Sequence, residues 1–345
     1  MTALQPQWQR PGAPWRFASI AAIAALALAF SVSMVNSLYV NTVIGAEIAR
    51  IPVPFPAEEV RPPAYAGEDA AAQNILLLGS DSWNSVNGTL IDIRGQRSDT
   101  MMVVHIPADR EKVYVMSILR DSWVILPDGT PEKANAALSY GGVPMAVQTV
   151  EGLIGSRVDH VALVDYAGFS GLTDALGGVD IDNPAGFQST ATDKYYPEGV
   201  QSLNGPEVLA FAREWRAFAD GDYQRVRNQQ LVMKAVLVKA MQRETLVDPE
   251  KIAGLLEAVT PSMAVDKGFD LAYITGLASS LRNIKEEDFV FFTAPTKGLG
   301  ESPDGQSYVH LDWDKMEALQ GLFQTDSLHT YVPEFQTMLP AALGE

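Results

Sequence analysis

Residues 100–118 read TMMVVHI (Thr100–Ile106), PADREK (Pro107–Lys112) and VYVMSI (Val113–Ile118), and this stretch decides the fold class. Two short apolar runs flank a polar turn, which predicts a β-hairpin. NILLLG (Asn74–Gly79) and DHVALVD (Asp159–Asp165) are further apolar runs of strand length. Apolar residues without alternation mark strands buried on both faces. SWVIL (Ser122–Leu126) reads as a continuation of the sheet and DFVFFTA (Asp288–Ala294) as a late strand. Other segments carry helical spacing. Val143, Ala146, Val147, Val150 and Ile154 share one face of Val143–Ile154. Tyr166–Leu176 is helical and is stopped by Gly177 and Gly178. Pro206–Arg213, Tyr223–Gln242, Pro249–Val259, Leu271–Leu281 and Trp313–Phe323 complete the helices. Strands alternating with helices predict an α/β fold, a mixed central sheet with helices on both faces.

The N-terminal region adds a membrane element. Phe17–Val40, FASIAAIAALALAFSVSMVNSLYV, holds no charged residue and no proline. At about 1.5 Å per residue it is long enough to cross a hydrocarbon core of about 30 Å. Arg10 and Arg16 precede it without an acidic residue, which places the N-terminus in the cytoplasm and the rest outside. Residues 1–16 are therefore read as a cytoplasmic tail and 17–40 as one N-terminal transmembrane helix. The run exceeds the usual signal-peptide core, so it is read as an uncleaved anchor in the cell membrane. Residues 41–73 read as an extended Pro-rich spacer, with five prolines in RIPVPFPAEEVRPPAY (Arg50–Tyr65). The folded part is expected from Asn74.

Composition removes several functions. Lys+Arg 25 against Asp+Glu 42 leaves a net charge of −17, so nucleic acid is not an expected partner. The absence of cysteine excludes disulfides, thiol catalysis and cysteine metal sites. No Walker A loop, G-x-G-x-x-G, H-E-x-x-H or G-x-S-x-G occurs. His105, His160, His310 and His329 are scattered, and His105 sits in an apolar strand where packing is its expected role.

What remains is charge at the ends of apolar runs. Asp81 follows the first strand, Arg97 and Asp99 precede the second, and Arg120 and Asp121 follow the third. That is where α/β folds place ligands, although N-caps and local ion pairs use the same residue types. Arg213, Arg216, Arg225 and Arg227 gather in Val208–Gln230. Asp222 can cap the helix that Tyr223 opens, and Arg225 and Gln229 share a helix face. Guanidinium groups suit phosphate oxygens, and a solvated helix face is the competing reading. Lys133 and Asn135 form a third polar island. Asp81 and Asp99, completed by phosphates, match the usual surroundings of Mg²⁺, with Mn²⁺ as the alternative ion.

The stretches NILLLGSD, RGQRSDTMMVVHI, VYVMSILRDSWVILP, KANAALSYGG, VDHVALVDYAGFSGLTDALGGVDI, LNGPEVLAFAR and GDYQRVRNQQ occur in this order. Together they resemble the LytR–CpsA–Psr family of bacterial cell-envelope proteins, over roughly Asn74 to Ala240, with a weaker tail to about Phe323. The resemblance implies an extracytoplasmic catalytic domain over residues 74–325 and a C-terminal tail over 326–345. It implies a Mg-dependent phosphotransferase that moves a glycopolymer from a polyprenyl-pyrophosphate carrier to peptidoglycan, forming a phosphodiester. The lipid would lie in an apolar tunnel between sheet and helices. By resemblance, Asp81 and Asp99 are metal-associated, and Arg97 and Arg120 surround the phosphates, with Arg120 beside the reacting group. Arg120, Asp99 and Arg97 form the implied catalytic set. Arg213, Arg225 and Gln229 match head-group ligands, Asp222 orients the arginines, and Lys133 and Asn135 stand at the rim. The chain departs from the family's R-x-R with Arg213-Glu214-Trp215-Arg216, which leaves Arg216 without an assigned role. The spacing from Asp81 to Asp99 implies an inserted loop at Ser82–Gly95. A polyprenyl-pyrophosphate phosphohydrolase and a non-catalytic polyprenyl-phosphate-binding regulator are the alternative readings.

Overall fold

The computed structural model describes residues 48–80, 84–86, 89–92, 96–246, 249–302 and 305–330. The run at 17–40 lies outside them, and no described helix is long and apolar enough to cross a membrane.

Among the described residues, nine strands form one mixed sheet. Their order is Phe289–Thr293, Val113–Ile118, Thr100–Ile106, Gln73–Ser80, His160–Asp165, Met263–Val265, Ala49–Arg50, Thr89–Asp92 and Asn84–Val86. The hairpin forms as expected, with Met101 opposite Ile118 and His105 opposite Tyr114. Gln73–Ser80 runs antiparallel to Thr100–Ile106 and parallel to His160–Asp165.

Side-chain alternation sends Leu76, Leu78, Met101, Val103 and Met116 to one face. There they meet Val143, Val147 and Val150 of the helix Ala136–Ile154, and Leu319 and Phe323 of the helix Trp313–Gln324. Ile75, Met102 and Val115 project to the other face, onto Met233 and Leu237 of the helix Asp222–Ala240. With both faces covered, continuous apolar runs are the stable choice. Each such side chain contributes about 1.5–3 kcal/mol on full burial.

Several boundaries differ from the sequence reading. SWVIL does not continue the sheet: Trp123–Ile125 pairs with Pro131–Lys133 in a separate ribbon. The first long helix begins at Ala136 and breaks at Gly142 (φ 68°, ψ −160°), just before Pro144, whose ring and missing N–H interrupt the ladder. The region read as an inserted loop carries the strands Asn84–Val86 and Thr89–Asp92, paired at the far edge beside Ala49–Arg50. Three further strand pairs escaped the reading: Val179–Asn183 with Gly199–Leu203, Phe187–Gln188 with Tyr195–Tyr196, and Thr296–Glu301 with Ser307–Leu311.

The Pro-rich stretch is fastened to the domain from Ile48 onward. Ile48, Ala49, Ile51 and Ala72 are buried. Arg61 reaches Glu151 at 2.7 Å, with both side chains almost fully enclosed, and Tyr65 donates its hydroxyl to the Phe323 carbonyl. At the other end, Asp326 hydrogen-bonds with His105 Nε2 at 2.7 Å and accepts from the Ala108 N–H at 2.9 Å. His105 is wholly buried and its Nδ1 faces Asn74, a packed role as expected.

Candidate active site

Four neighbouring strands bring their ends together at one rim of the sheet. Asp99 immediately precedes Thr100–Ile106, and its N–H donates to the Gly79 carbonyl at 2.9 Å. A Cβ at Gly79 would stand 2.8 Å from the Thr100 Cβ, so only glycine allows this approach. Antiparallel pairing of the hairpin sets Arg120 beside Asp99, with Arg120 Nη1 donating to Asp99 Oδ1 at 2.6 Å. The parallel strand His160–Asp165 ends against Ser80, and Asp165 then caps the helix Tyr166–Ala175. Tyr166 opens that helix and donates its hydroxyl to Asp99 Oδ2 at 2.8 Å.

The helix Asp222–Ala240 brings the second half. Asp222 does not cap it: the cap position is Gly221, at φ 52°, without a side-chain hydrogen bond. The Asp222 carboxylate turns instead between two guanidinium groups, 2.5 Å from Arg225 Nη2 and 3.5 Å from Arg120 Nε. Asp121 lies 3.8 Å from Arg120 Nε and 3.4 Å from Lys133 Nζ. Burial raises the Asp99 carboxyl, but the bonds from Arg120 and Tyr166 outweigh it and hold Asp99 below the usual aspartate range. For Asp222 burial dominates, and its carboxyl stays above that range despite Arg225 and Arg120. Burial would lower Arg120, but Asp222 and Asp99 reverse the sign and raise it. Arg225 is lowered by burial, partly offset by Asp222. Arg225 Nε and Arg120 Nε are buried and make no hydrogen bond among the described residues. Unused donors on buried cations are costly unless an anion's oxygens take them.

Two cavities meet here. A polar basin of about 580 Å³ is lined by Asp99, Arg120, Tyr166, Arg213, Arg216 and Arg225. An apolar slot of about 90 Å³ runs between sheet and helices, along Leu77, Met102, Phe169, Val232 and Met233. Tyr166, Leu209 and Arg213 line both, so one opens onto the other. The Arg213 guanidinium lies 4.4 Å over the Tyr166 ring, a cation–π contact that fixes it at the junction. Glu214 folds the following turn. Its carboxylate accepts from the N–H and hydroxyl of Thr190 and from the N–H groups of Trp215, Arg216 and Ala217. Burial pushes Glu214 up, and these bonds bring it net below the usual glutamate range. The turn carries Arg216 into the basin despite its shifted position in the sequence.

Of the residues singled out from sequence, the structure gathers Asp99, Arg120, Arg213, Arg216 and Arg225 at the basin. Gln229 lines the slot beside Arg213. Lys133 pairs with Asp121 on the wall of a neighbouring groove. Asn135 is buried, and its N–H donates to the Arg120 carbonyl. Arg97 is exposed and does not line the basin. Arg227 pairs with Asp220. Asp81 lies outside the described residues. Tyr166 and Glu214 were not anticipated. An aromatic at a strand-to-helix junction was the available signal for Tyr166, whereas Glu214 takes its partner Thr190 from a distant loop.

Among the described residues no three His, Asp or Glu side chains gather as metal ligands. Asp99 supplies one hard carboxylate at the basin. Both Asp99 oxygens accept hydrogen bonds, from Arg120 and Tyr166, so an ion completed by substrate phosphates and water would draw on their remaining lone pairs.

A model of the LytR_cpsA_psr family matches residues 54–324, and the chain belongs to that family. LcpB of Corynebacterium glutamicum is 33% identical over 270 residues, covering 76% of this chain and 63% of that protein. This chain therefore spans less than two thirds of that relative's length. The polyisoprenyl-teichoic acid–peptidoglycan teichoic acid transferase TagU of Enterococcus faecalis is 27% identical over 250 residues, covering 72% of this chain and 77% of TagU. The crystal structure of B. subtilis TagV shares the fold, with a TM-score of 0.63 at 24% identity over 76% of this chain and 98% of TagV.

Proposed function

We propose that this chain transfers a glycopolymer from a polyprenyl-pyrophosphate carrier to a peptidoglycan hydroxyl. The observation that carries the reading is the junction of basin and slot at Tyr166, Leu209 and Arg213. A ligand that fits both must be an amphiphile with an anionic head and an apolar tail. The names of relatives such as TagU support the reaction class.

Arg213, Arg216 and Arg225 hold the pyrophosphate oxygens. Arg120, fixed by Asp99, faces the transferring phosphoryl group and stabilises the charge that develops there. Tyr166 orients Asp99, and the slot shields the lipid from water. The acceptor oxygen bonds to the phosphorus that bears the glycan. The bridge to polyprenyl phosphate breaks, the leaving phosphate keeps the electron pair, and the hydroxyl proton passes to water. Asp99, and Asp81 by the sequence reading, would hold Mg²⁺ or Mn²⁺, which when bound neutralises the pyrophosphate. The 17–40 run would anchor the chain in the cell membrane, with the N-terminus cytoplasmic and the domain outside.

The test uses the full chain in detergent with Mg²⁺, a polyprenyl-pyrophosphate glycan and peptidoglycan fragments. Polymer-linked product and polyprenyl phosphate should form together. Arg120→Ala and Asp99→Ala should each lower turnover by about 100-fold or more, the scale of a lost transition-state contact. Unchanged turnover in both variants contradicts the assignment.

A further inference from the structure

A second groove, of about 870 Å³, abuts the ion cluster. Asp121 and Asp222, two of the three carboxylates around Arg120, line it. Trp215 lines both groove and basin, whereas groove and slot have no residue in common. The three spaces therefore follow one another: slot, basin, groove.

The outer part of the groove is built from rings and one exposed aliphatic side chain. Tyr308 stacks on Trp123 with centroids 4.6 Å apart, which sets the ring's angle. Tyr223 hydrogen-bonds through its hydroxyl with Thr296 across the groove. Trp215 is 38% exposed and Leu299 68% exposed, both at this surface. Gly300 lets two rings lie close, since a Cβ there would stand 2.6 Å from His310 Nε2 and 2.8 Å from the Tyr308 ring. Fixed aromatic faces beside the carboxylates of Asp121 and Asp222 match a sugar ring, which offers an apolar C–H face and a rim of hydroxyl donors.

We propose that this groove is the subsite for the carbohydrate acceptor, seating a glycan on Trp215 and Tyr308 with its reacting hydroxyl beside Asp222. The inference rests on the phosphotransfer reading and deepens it. Phosphoryl transfer needs attacking and leaving oxygens roughly in line. The groove adjoins the basin at Trp215 and shares no residue with the slot, which leaves it free for the acceptor while the lipid occupies the slot.

Full-length protein is tested with tetra-N-acetylchitotetraose as the acceptor probe. Tryptophan fluorescence is titrated with this probe alone, and transfer kinetics are run with the polyprenyl-pyrophosphate donor. Tyr308→Ala and Leu299→Ser should each weaken binding and raise the acceptor KM, about tenfold for Tyr308→Ala, with the donor KM unchanged. Leu299 is exposed enough that its substitution leaves folding intact. A rise in donor KM with acceptor KM unchanged assigns the groove to the donor glycan and overturns the proposal. So does probe binding that neither variant alters. If native protein binds the probe in a Tyr308-dependent manner yet transfers polymer neither to it nor to peptidoglycan fragments, the groove binds carbohydrate, and the transferase reading falls with the acceptor role.

Discussion

Tyr166 donates its hydroxyl to Asp99 Oδ2 at 2.8 Å, over the end of the strand Gln73–Ser80 that separates their two strands. The same ring carries the Arg213 guanidinium on its face. One side chain thus positions a carboxylate on one side and a cation on the other.

Tyr166→Phe should separate these roles. It removes a hydrogen bond to a charged group, a contact of about 1.5–3 kcal/mol. The expected result is a fall in kcat of about tenfold or more, with donor KM nearly unchanged because the ring still supports Arg213. Tyr166→Ala should also raise the donor KM. Steady-state kinetics at varied donor concentration check both, and equal KM values in the two variants would remove the ring from Arg213 placement.

Arg213→Lys keeps the charge but loses the planar fork and its stacking on Tyr166. Lysine cannot replace bidentate phosphate contacts, so donor affinity should fall by about tenfold or more. Equilibrium binding of polyprenyl pyrophosphate measures this, and native affinity in Arg213→Lys would show that charge alone suffices.

Glu214 ties the turn that presents Arg213 and Arg216. Its folded-state pKa lies below the ordinary value, so the carboxylate contributes stability in full above the unfolded pKa of about 4.3. That contribution is lost as pH falls through the lower folded-state value. Thermal midpoints of native protein and Glu214→Gln should therefore differ by a constant amount near pH 7 and converge toward pH 3. A gap that widens on acidification would reverse the assigned sign.

Arg61 and Glu151 form a pair with side chains only 4% and 1% exposed. Arg61→Ala leaves a buried carboxylate uncompensated and should cost about 3–5 kcal/mol. In a domain of this size the thermal midpoint should fall by on the order of 10 °C. The double variant Arg61→Met with Glu151→Leu should recover much of the loss. Calorimetry that finds Arg61→Ala as stable as the native chain would show that the N-terminal stretch does not fasten the domain.

Much of the fold was legible because the central strands are buried on both faces: Val113–Ile118 at every residue, and Thr100–Ile106 at all but Thr100 and Val104. Asp99 and Arg120 were legible for a related reason: strand ends fix where their neighbours stand. Arg97 lies two residues ahead of Asp99 and outside the strand, so no ladder aims it, and it faces solvent. Asp222 carries the residue type and position of a helix cap, but charge decides its direction: Arg120 and Arg225 draw the carboxylate away. The Pro-rich stretch reads locally as a linker, and the partner that docks it, Glu151, is 90 residues from Arg61. Glu214 is likewise set by Thr190, 24 residues away, and short-range patterns carry no trace of either contact.

The most direct measurement follows the phosphorus. A donor labelled at the phosphorus that bears the glycan is incubated with the full chain, Mg²⁺ and peptidoglycan fragments, and the label is traced. The expected result is label in a phosphodiester joining polymer to peptidoglycan, with unlabelled polyprenyl phosphate released and both products lost in Arg120→Ala. Label found only in a free glycan phosphate, with water as the acceptor, would contradict the transferase function.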